Sequence, residues 1–274
     1  LGAKMAKQWY ELTFKPLQPL HIGLGNYGVV APTRIFIPGK TMWGALTCAY
    51  GIKKNWKAGE LKPEQEKLFT EISNFYPAID NEILFPNYKD GEFCLGGKTE
   101  REFRNFYTDT FISTGISGAT QSAADKSLHE IEYILPDSKE ETNKPLQWKG
   151  ILYIGETIVD TYLQAGLHVY VGGERKYGFG LMEMEKPALL QNPESWNLEN
   201  EQTTFVFSDN KPIVHFVEDN SEVVQGIPET WVETEKNDKK EISFHRRKKV
   251  YQPGCTAKFS NLKLWKGCLQ YINQ

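Results

Sequence analysis

At 274 residues, 40% hydrophobic and 13% aromatic, the chain can bury a substantial core, and its composition excludes a disordered polymer. No apolar run approaches the roughly 20 residues needed to cross a bilayer, and the start lacks the apolar segment of a signal peptide. Four scattered cysteines (Cys48, Cys94, Cys255, Cys268), with no C-x-x-C pair, argue against a zinc site or a disulfide framework and for a cytoplasmic protein with free thiols. The net charge of −3 conceals an asymmetry: residues 1–57 and 240–266 each carry eight basic groups and one acid, leaving the rest strongly acidic. Two basic ends on an acidic body predict one anion-facing side.

In chain order, the alternation of Gln8–Phe14 predicts a first strand. A turn region rich in proline and glycine follows over Lys15–Pro38. Pro38-Gly39 opens a helix over Lys40–Tyr50, with Met42, Ala45, Leu46 and Ala49 on one face and Gly51 as its C′ residue. Leu68, Ile72 and Phe75 have the spacing of a second helix, about Pro63–Phe75. Residues 76–130 read as irregular and aromatic-rich. Strands are expected at Glu130–Leu135 and Leu146–Ile154, around a charged hairpin or loop at Asp137–Pro145. A helix near Glu156–Gln164 precedes two strands, Leu167–Val171 and Phe179–Glu185.

The order β-α-(insertion)-β-β-α-β-β fits an α+β, ferredoxin-like (RRM-related) domain over 5–186, with a long insertion at about 76–130. Residues 187–274 form a β-rich C-terminal appendage. In it Thr203–Phe207 and Ile213–Val217 read as strands, Glu218–Lys240 as polar and acidic, and Ile242–Trp265 as basic with strand character.

Four groups of residues bear on chemistry. Gly172–Gly180 (GGERKYGFG) reads either as a charged hairpin in water or as a loop whose bare N–H groups, with Arg175 and Lys176, hold an anion. His21–Gly28 (HIGLGNYG) lacks the spacing of a dinucleotide fingerprint and of a P-loop. Ile37–Thr41 (IPGKT) opens the first helix, so its N–H groups and Lys40, near Arg34, make a candidate anion site. Arg246 and Arg247 head the densest basic run, a solvated strand or a phosphate contact. No histidine pair has a metal spacing, and Glu11 is the only acid before residue 58, which argues against a carboxylate–metal centre there. Neither a metal nor a cofactor is expected.

Three stretches, in order, resemble the RAMP superfamily of CRISPR-associated proteins. They are PLHIGLGNYGVVAPTRIFIPGKTMWGALT (Pro19–Thr47), ISTGISGATQSAADKSLHEIEYI (Ile112–Ile134) and VGGERKYGFGLMEM (Val171–Met184). The middle one is similar to a segment that carries a β-hairpin thumb or loop. The resemblance implies binding of guide RNA (crRNA) within a multisubunit type III-like effector complex, with the other CRISPR effector subunits as partners and no membrane. It implies contacts through His21, Gly23, Gly25, Arg34, Gly39 and Lys40 at the first site and Gly172, Gly173, Arg175, Lys176, Gly178 and Gly180 at the second. Those contacts would run through glycine loops and the helix start more than through an open sheet face. The aspartate that the family's target-cleaving backbone subunits carry in the first turn is absent here. Its absence argues against target cleavage. The short turn, with the WGAL helix start at Trp43–Leu46, looks closer to the subunits that cap the guide's 5′ tag, so the resemblance implies a non-catalytic capping subunit. The alternatives are a repeated backbone subunit and a metal-independent repeat-RNA endonuclease using His21 as base with Tyr27 or Lys40.

Overall fold

The computed structural model describes residues 7–25, 27–57, 67–140, 144–198, 211–219, 223–236, 242–257 and 262–271. The chain begins with β1 (Lys7–Pro16), β2 (Val30–Ala31) and α1 (Gly39–Lys53). Short strands β3 (Tyr76–Ile79), β4 (Glu82–Ile83), β5 (Pro86–Lys89), β6 (Glu92–Leu95) and β7 (Lys98–Thr99) lead to α2 (Glu100–Tyr107). Next come β8 (Thr108–Ser113), β9 (His129–Ile134), β10 (Gln147–Gly155), α3 (Glu156–Thr161), β11 (His168–Tyr170), β12 (Leu181–Met184) and β13 (Ala188–Leu189). The C-terminal part holds β14 (Phe216–Glu218), β15 (Val223–Gln225), β16 (Pro228–Lys236), β17 (Ile242–Tyr251), β18 (Thr256–Ala257), β19 (Leu262–Trp265) and β20 (Cys268–Tyr271).

The main sheet runs β11-β12-β1-β10-β3-β4, with β13 also on β1. Its middle four strands, β12-β1-β10-β3, are antiparallel neighbours throughout. Helix α1 lies in sequence between β1 and β3, and α3 between β10 and β12, so each strand–helix–strand unit is split by a third strand. This is the βαββαβ order of a ferredoxin-like fold, as the sequence pattern predicts. Its second strand, however, is β3, inside the stretch expected as the insertion, whereas the expected strand Glu130–Leu135 (β9) pairs with β2 and β8 outside this sheet. Consecutive residues Leu12, Thr13 and Phe14 of β1, and Ile151 and Leu152 of β10, are all buried, so both faces of the central strands are covered. No open sheet face is left there for bases to stack on. Phe14, Phe75 and Trp148 are completely buried, each contributing roughly 1.5–3 kcal/mol of transfer free energy. Gly150 sits mid-strand because the Phe75 ring lies on it, 2.5 Å from where a Cβ would be.

The C-terminal sheet runs β16-β17-β14-β20-β19 and packs on the first part of the chain. Tyr76 Oη donates to the Val214 carbonyl (2.5 Å), and the N–H groups of Lys266 and Gly267 donate to the carbonyls of Thr70 and Ile72 (2.7 Å each). Phe36 brings its ring to Tyr76 and to Phe216, at 5.8 and 5.7 Å between centroids. One hydrophobic core runs through both parts.

Several local expectations are corrected. Helix α1 continues past Gly51 to Lys53, because Gly51 is a packing position: a Cβ would lie 2.9 Å from the Trp56 ring. The expected helix over 63–75 falls partly outside the described residues. Its described end is extended, with Ile72 bridged to Leu152 and Phe75 exchanging backbone hydrogen bonds with Ile37. The helical spacing of Leu68, Ile72 and Phe75 there marks core insertion. Residues 76–130 are more regular than expected, holding the β5–β7 meander and α2. Strands β15 and β16 occupy part of the stretch read as simply polar, and Thr203–Phe207 lies outside the described residues.

Candidate nucleic-acid interface

The first glycine turn is a hairpin. Arg34 N–H donates to the Ile22 carbonyl (2.7 Å), Leu24 N–H to Pro32 (3.1 Å), and Tyr27 and Val30 exchange backbone bonds at the tip. His21 stands at its base, only 6% exposed, with Nδ1 2.7 Å from the Glu132 carbonyl. The Glu132 side chain ties the surroundings together. Its carboxylate accepts from Arg104 Nη1 (2.9 Å to each oxygen), from the Thr33 N–H (3.0 Å) and from Thr108 Oγ1 (3.3 Å). Arg104 also donates to the Thr33 carbonyl (3.1 Å) and to Glu100 (2.6 Å). Charge-assisted bonds of this kind are the strong ones. They join the hairpin, α2 and β9, which are distant in sequence.

The second glycine loop docks directly on His21. Gly173 N–H donates to the His21 carbonyl (2.9 Å), and a Cβ on Gly172, at φ +81°, would collide with that same oxygen. The N–H groups of Gly178 and Gly180 are also spent internally, on Arg175 (3.0 Å) and Pro19 (2.8 Å). The expectation of bare amides around an anion is thereby corrected for Gly173, Gly178 and Gly180. What the loop presents is side chains on a single 3-10 turn, Arg175–Tyr177. Arg175 is exposed over the Tyr170 ring (5.3 Å), and Lys176 is exposed over Tyr177 (4.8 Å) with Glu174 4.0 Å away. Tyr177 in turn bonds His129 Nε2 (3.0 Å) and packs on Phe111 (5.1 Å), fastening the loop to the β8–β9 ribbon. Ile112 on that ribbon, Ile116 in the connection after β8, and Tyr27 on the hairpin are exposed, the last at 70%.

The helix start is built differently. Gly39 N–H donates to Asn74 Oδ1 (2.9 Å), and a Cβ on Gly39 would lie 2.5 Å from Gly267 Cα and 2.7 Å from the Ser73 carbonyl oxygen. The anion site expected at Gly39 is therefore filled by protein. Arg34, whose side chain is 12% exposed, pairs with Glu229 of β16. Lys40 is exposed and stands 5.9 Å from the Trp231 ring, beside a groove of about 260 Å³ whose described lining includes Arg34, Thr41, Phe216, Trp231 and Val232. Arg247, exposed, is opposite Val232 in the β16–β17 ladder, and Arg246 is opposite Glu233. The basic run is partly neutralised: Lys248 lies 3.7 Å from Glu218, and the hydrogen bond that the Lys249 ammonium donates to Asp219 (3.0 Å) holds it above its ordinary range.

The predicted residues thus divide into two places. His21, Gly23, Gly172 and Gly173 meet at one junction, from which the loop bearing Arg175, Lys176, Gly178 and Gly180 continues; Gly25 lies further along the hairpin. Arg34, Gly39 and Lys40 lie against the C-terminal part of the chain, whose strand β17 carries Arg247. Sequence reasoning missed Glu132, Arg104 and Asn74, the polar residues that hold the two places in shape.

No family model matches the chain, and no curated protein does. Solved structures do. One is a chain of Type III-B Cmr-beta bound to cognate target RNA and AMPPnP, at TM-score 0.61 and 14% identity, covering 90% of this chain and 86% of that one. Another, from Type III-B Cmr-beta bound to cognate target RNA, gives TM-score 0.57 at the same identity and coverage. The chain shares its fold with a component of Type III-B Cmr-beta. Among the described residues no helix is long and apolar enough to cross a membrane.

Proposed function

We propose that the chain is a non-catalytic guide-RNA-binding subunit of a multisubunit type III-like effector complex, capping the 5′ tag of the guide. The observation that carries this reading is the junction at His21. There two glycine loops meet, and the second presents Arg175 and Lys176 to solvent, each against an aromatic ring. Cations on rings suit a nucleic-acid strand, whose phosphates take the charge and whose bases stack. The fold shared with chains from RNA-bound assemblies supports it. With both faces of the central strands covered, recognition passes to loops and the β8–β9 ribbon.

Sequencing the RNA that co-purifies with the protein tests the proposal. Guide RNAs with a common 5′ end are expected, and RNA of random sequence, or none, overturns it. The nuclease reading requires His21 to work with Tyr27 or Lys40, yet Lys40 packs toward Trp231 and Tyr27 stands at the hairpin tip. Repeat RNA incubated with the protein in EDTA should stay intact; specific cuts lost in His21→Ala would establish the nuclease instead.

A further inference from the structure

His21 is held in a way that fixes what it can offer a ligand. The Glu132 carbonyl is an acceptor only, so Nδ1 carries the hydrogen and donates at 2.7 Å. In the neutral ring Nε2 is then a lone pair, an acceptor. The Glu132 main chain is anchored through its own side chain by Arg104, Thr33 and Thr108, so the ring's orientation is set from behind.

Two glycines from different loops flank the front edge of the ring. A methyl group built on Gly23 would meet, among the described residues, His21 Nε2 at 3.3 Å. A methyl on Gly173 would meet, among the described residues, His21 Cδ2 at 3.5 Å. Both glycines are exposed. At these two positions the Nε2–Cδ2 edge of the largely buried ring is lined by exposed backbone and not by side chains, so a ligand reaching it meets glycine backbone first.

From this we infer that His21 Nε2 is a hydroxyl-reading site that accepts a hydrogen bond from a ribose 2′-OH of the bound strand. In the neutral ring that lone pair cannot pair with an unprotonated phosphate oxygen and calls for an O–H or N–H donor. The 2′-OH is the donor that every RNA nucleotide carries and DNA lacks, and it sits on the sugar, where an edge lined by glycine backbone can reach it. The inference rests on the RNA-binding reading above and adds to it the basis for preferring RNA to DNA. Gly23 and Gly173 keep their own side chains off the site, and Glu132 with Arg104 are positioning residues.

The test is a scan of the bound RNA in which one 2′-OH at a time is replaced by hydrogen, with affinity measured for the full chain and for His21→Asn. The asparagine amide can still donate to the Glu132 carbonyl but has no counterpart of Nε2. One position is expected to cost the unaltered protein about three- to tenfold in affinity, the size of one hydrogen bond. In His21→Asn the all-RNA strand should weaken by that factor, and the penalty at that position should vanish. Gly23→Ala, which crowds Nε2 without touching the Glu132 bond, should reproduce the loss. A penalty that persists in His21→Asn, or no penalty at any position, overturns the inference while leaving RNA binding intact. Failure to bind RNA at all overturns the binding reading and this inference with it.

Discussion

Gly23 and Gly39 belong to the same stretch of chain, yet a methyl group added to each would meet opposite fates. At Gly23 it would crowd only the edge of the His21 imidazole, at 3.3 Å; at Gly39 it would strike the backbone of Gly267 and Ser73 at 2.5–2.7 Å. Some of the nearby cations differ as well, although Lys40, next to Gly39, is exposed. Arg175 and Lys176 lie on the surface, whereas Arg34 is drawn into an ion pair with Glu229. Glycine with a nearby cation is one signature in sequence and two devices in structure. One keeps a site accessible; the other lets two parts of the fold close on each other.

The largest effect is expected from Gly39→Ala. With backbone atoms 2.5–2.7 Å from the new Cβ, nothing flexible can give way, and the cost should be roughly 3–4 kcal/mol in urea denaturation. Gly23→Ala should stay within about 0.5 kcal/mol of the parent. Equal losses at the two positions would break the comparison.

Acid should attack the closed side next. His215, wholly buried and bonded through Nε2 to the Trp196 carbonyl (3.1 Å), is pushed down to about 4 by desolvation. A histidine lowered in the folded state is more easily protonated when unfolded. Its contribution is thus complete above about pH 6.5 and is lost as the pH falls through about 4, a change of about 3 kcal/mol. Stability measured across that window should show this fall, and His215→Gln should flatten it.

Arg34→Ala should cost about 2 kcal/mol, the value of a charge-assisted bond, by leaving Glu229 without its cation. On this account it changes stability more than the salt dependence of RNA binding.

Much of the frame was legible in the sequence. The alternation in Gln8–Phe14 and Leu146–Ile154 marks the two central strands, and Pro38-Gly39 marks the start of α1. Helix α2 could also have been read, since Thr99-Glu100-Arg101-Glu102 is a capping box: Thr99 Oγ1 accepts from the Glu102 N–H and the Glu102 carboxylate from the Thr99 N–H. The roles of Gly39 and His21 were not legible, because they depend on partners far away in the chain. Gly39 answers to Gly267 and Asn74, and His21 to Glu132 and Gly173. A local pattern carries propensity and periodicity, but it does not say which distant backbone comes to rest on a glycine.

The salt dependence of RNA binding tests the central claim most directly, measured for the parent protein and for the Arg175→Ala/Lys176→Ala pair. If these two side chains hold phosphates of a single strand, the pair should weaken binding and lower the slope of log K against log salt by about 1.4, or 0.7 per contact. An unchanged affinity and slope would contradict the assignment of the second glycine loop as the RNA-facing side of the molecule.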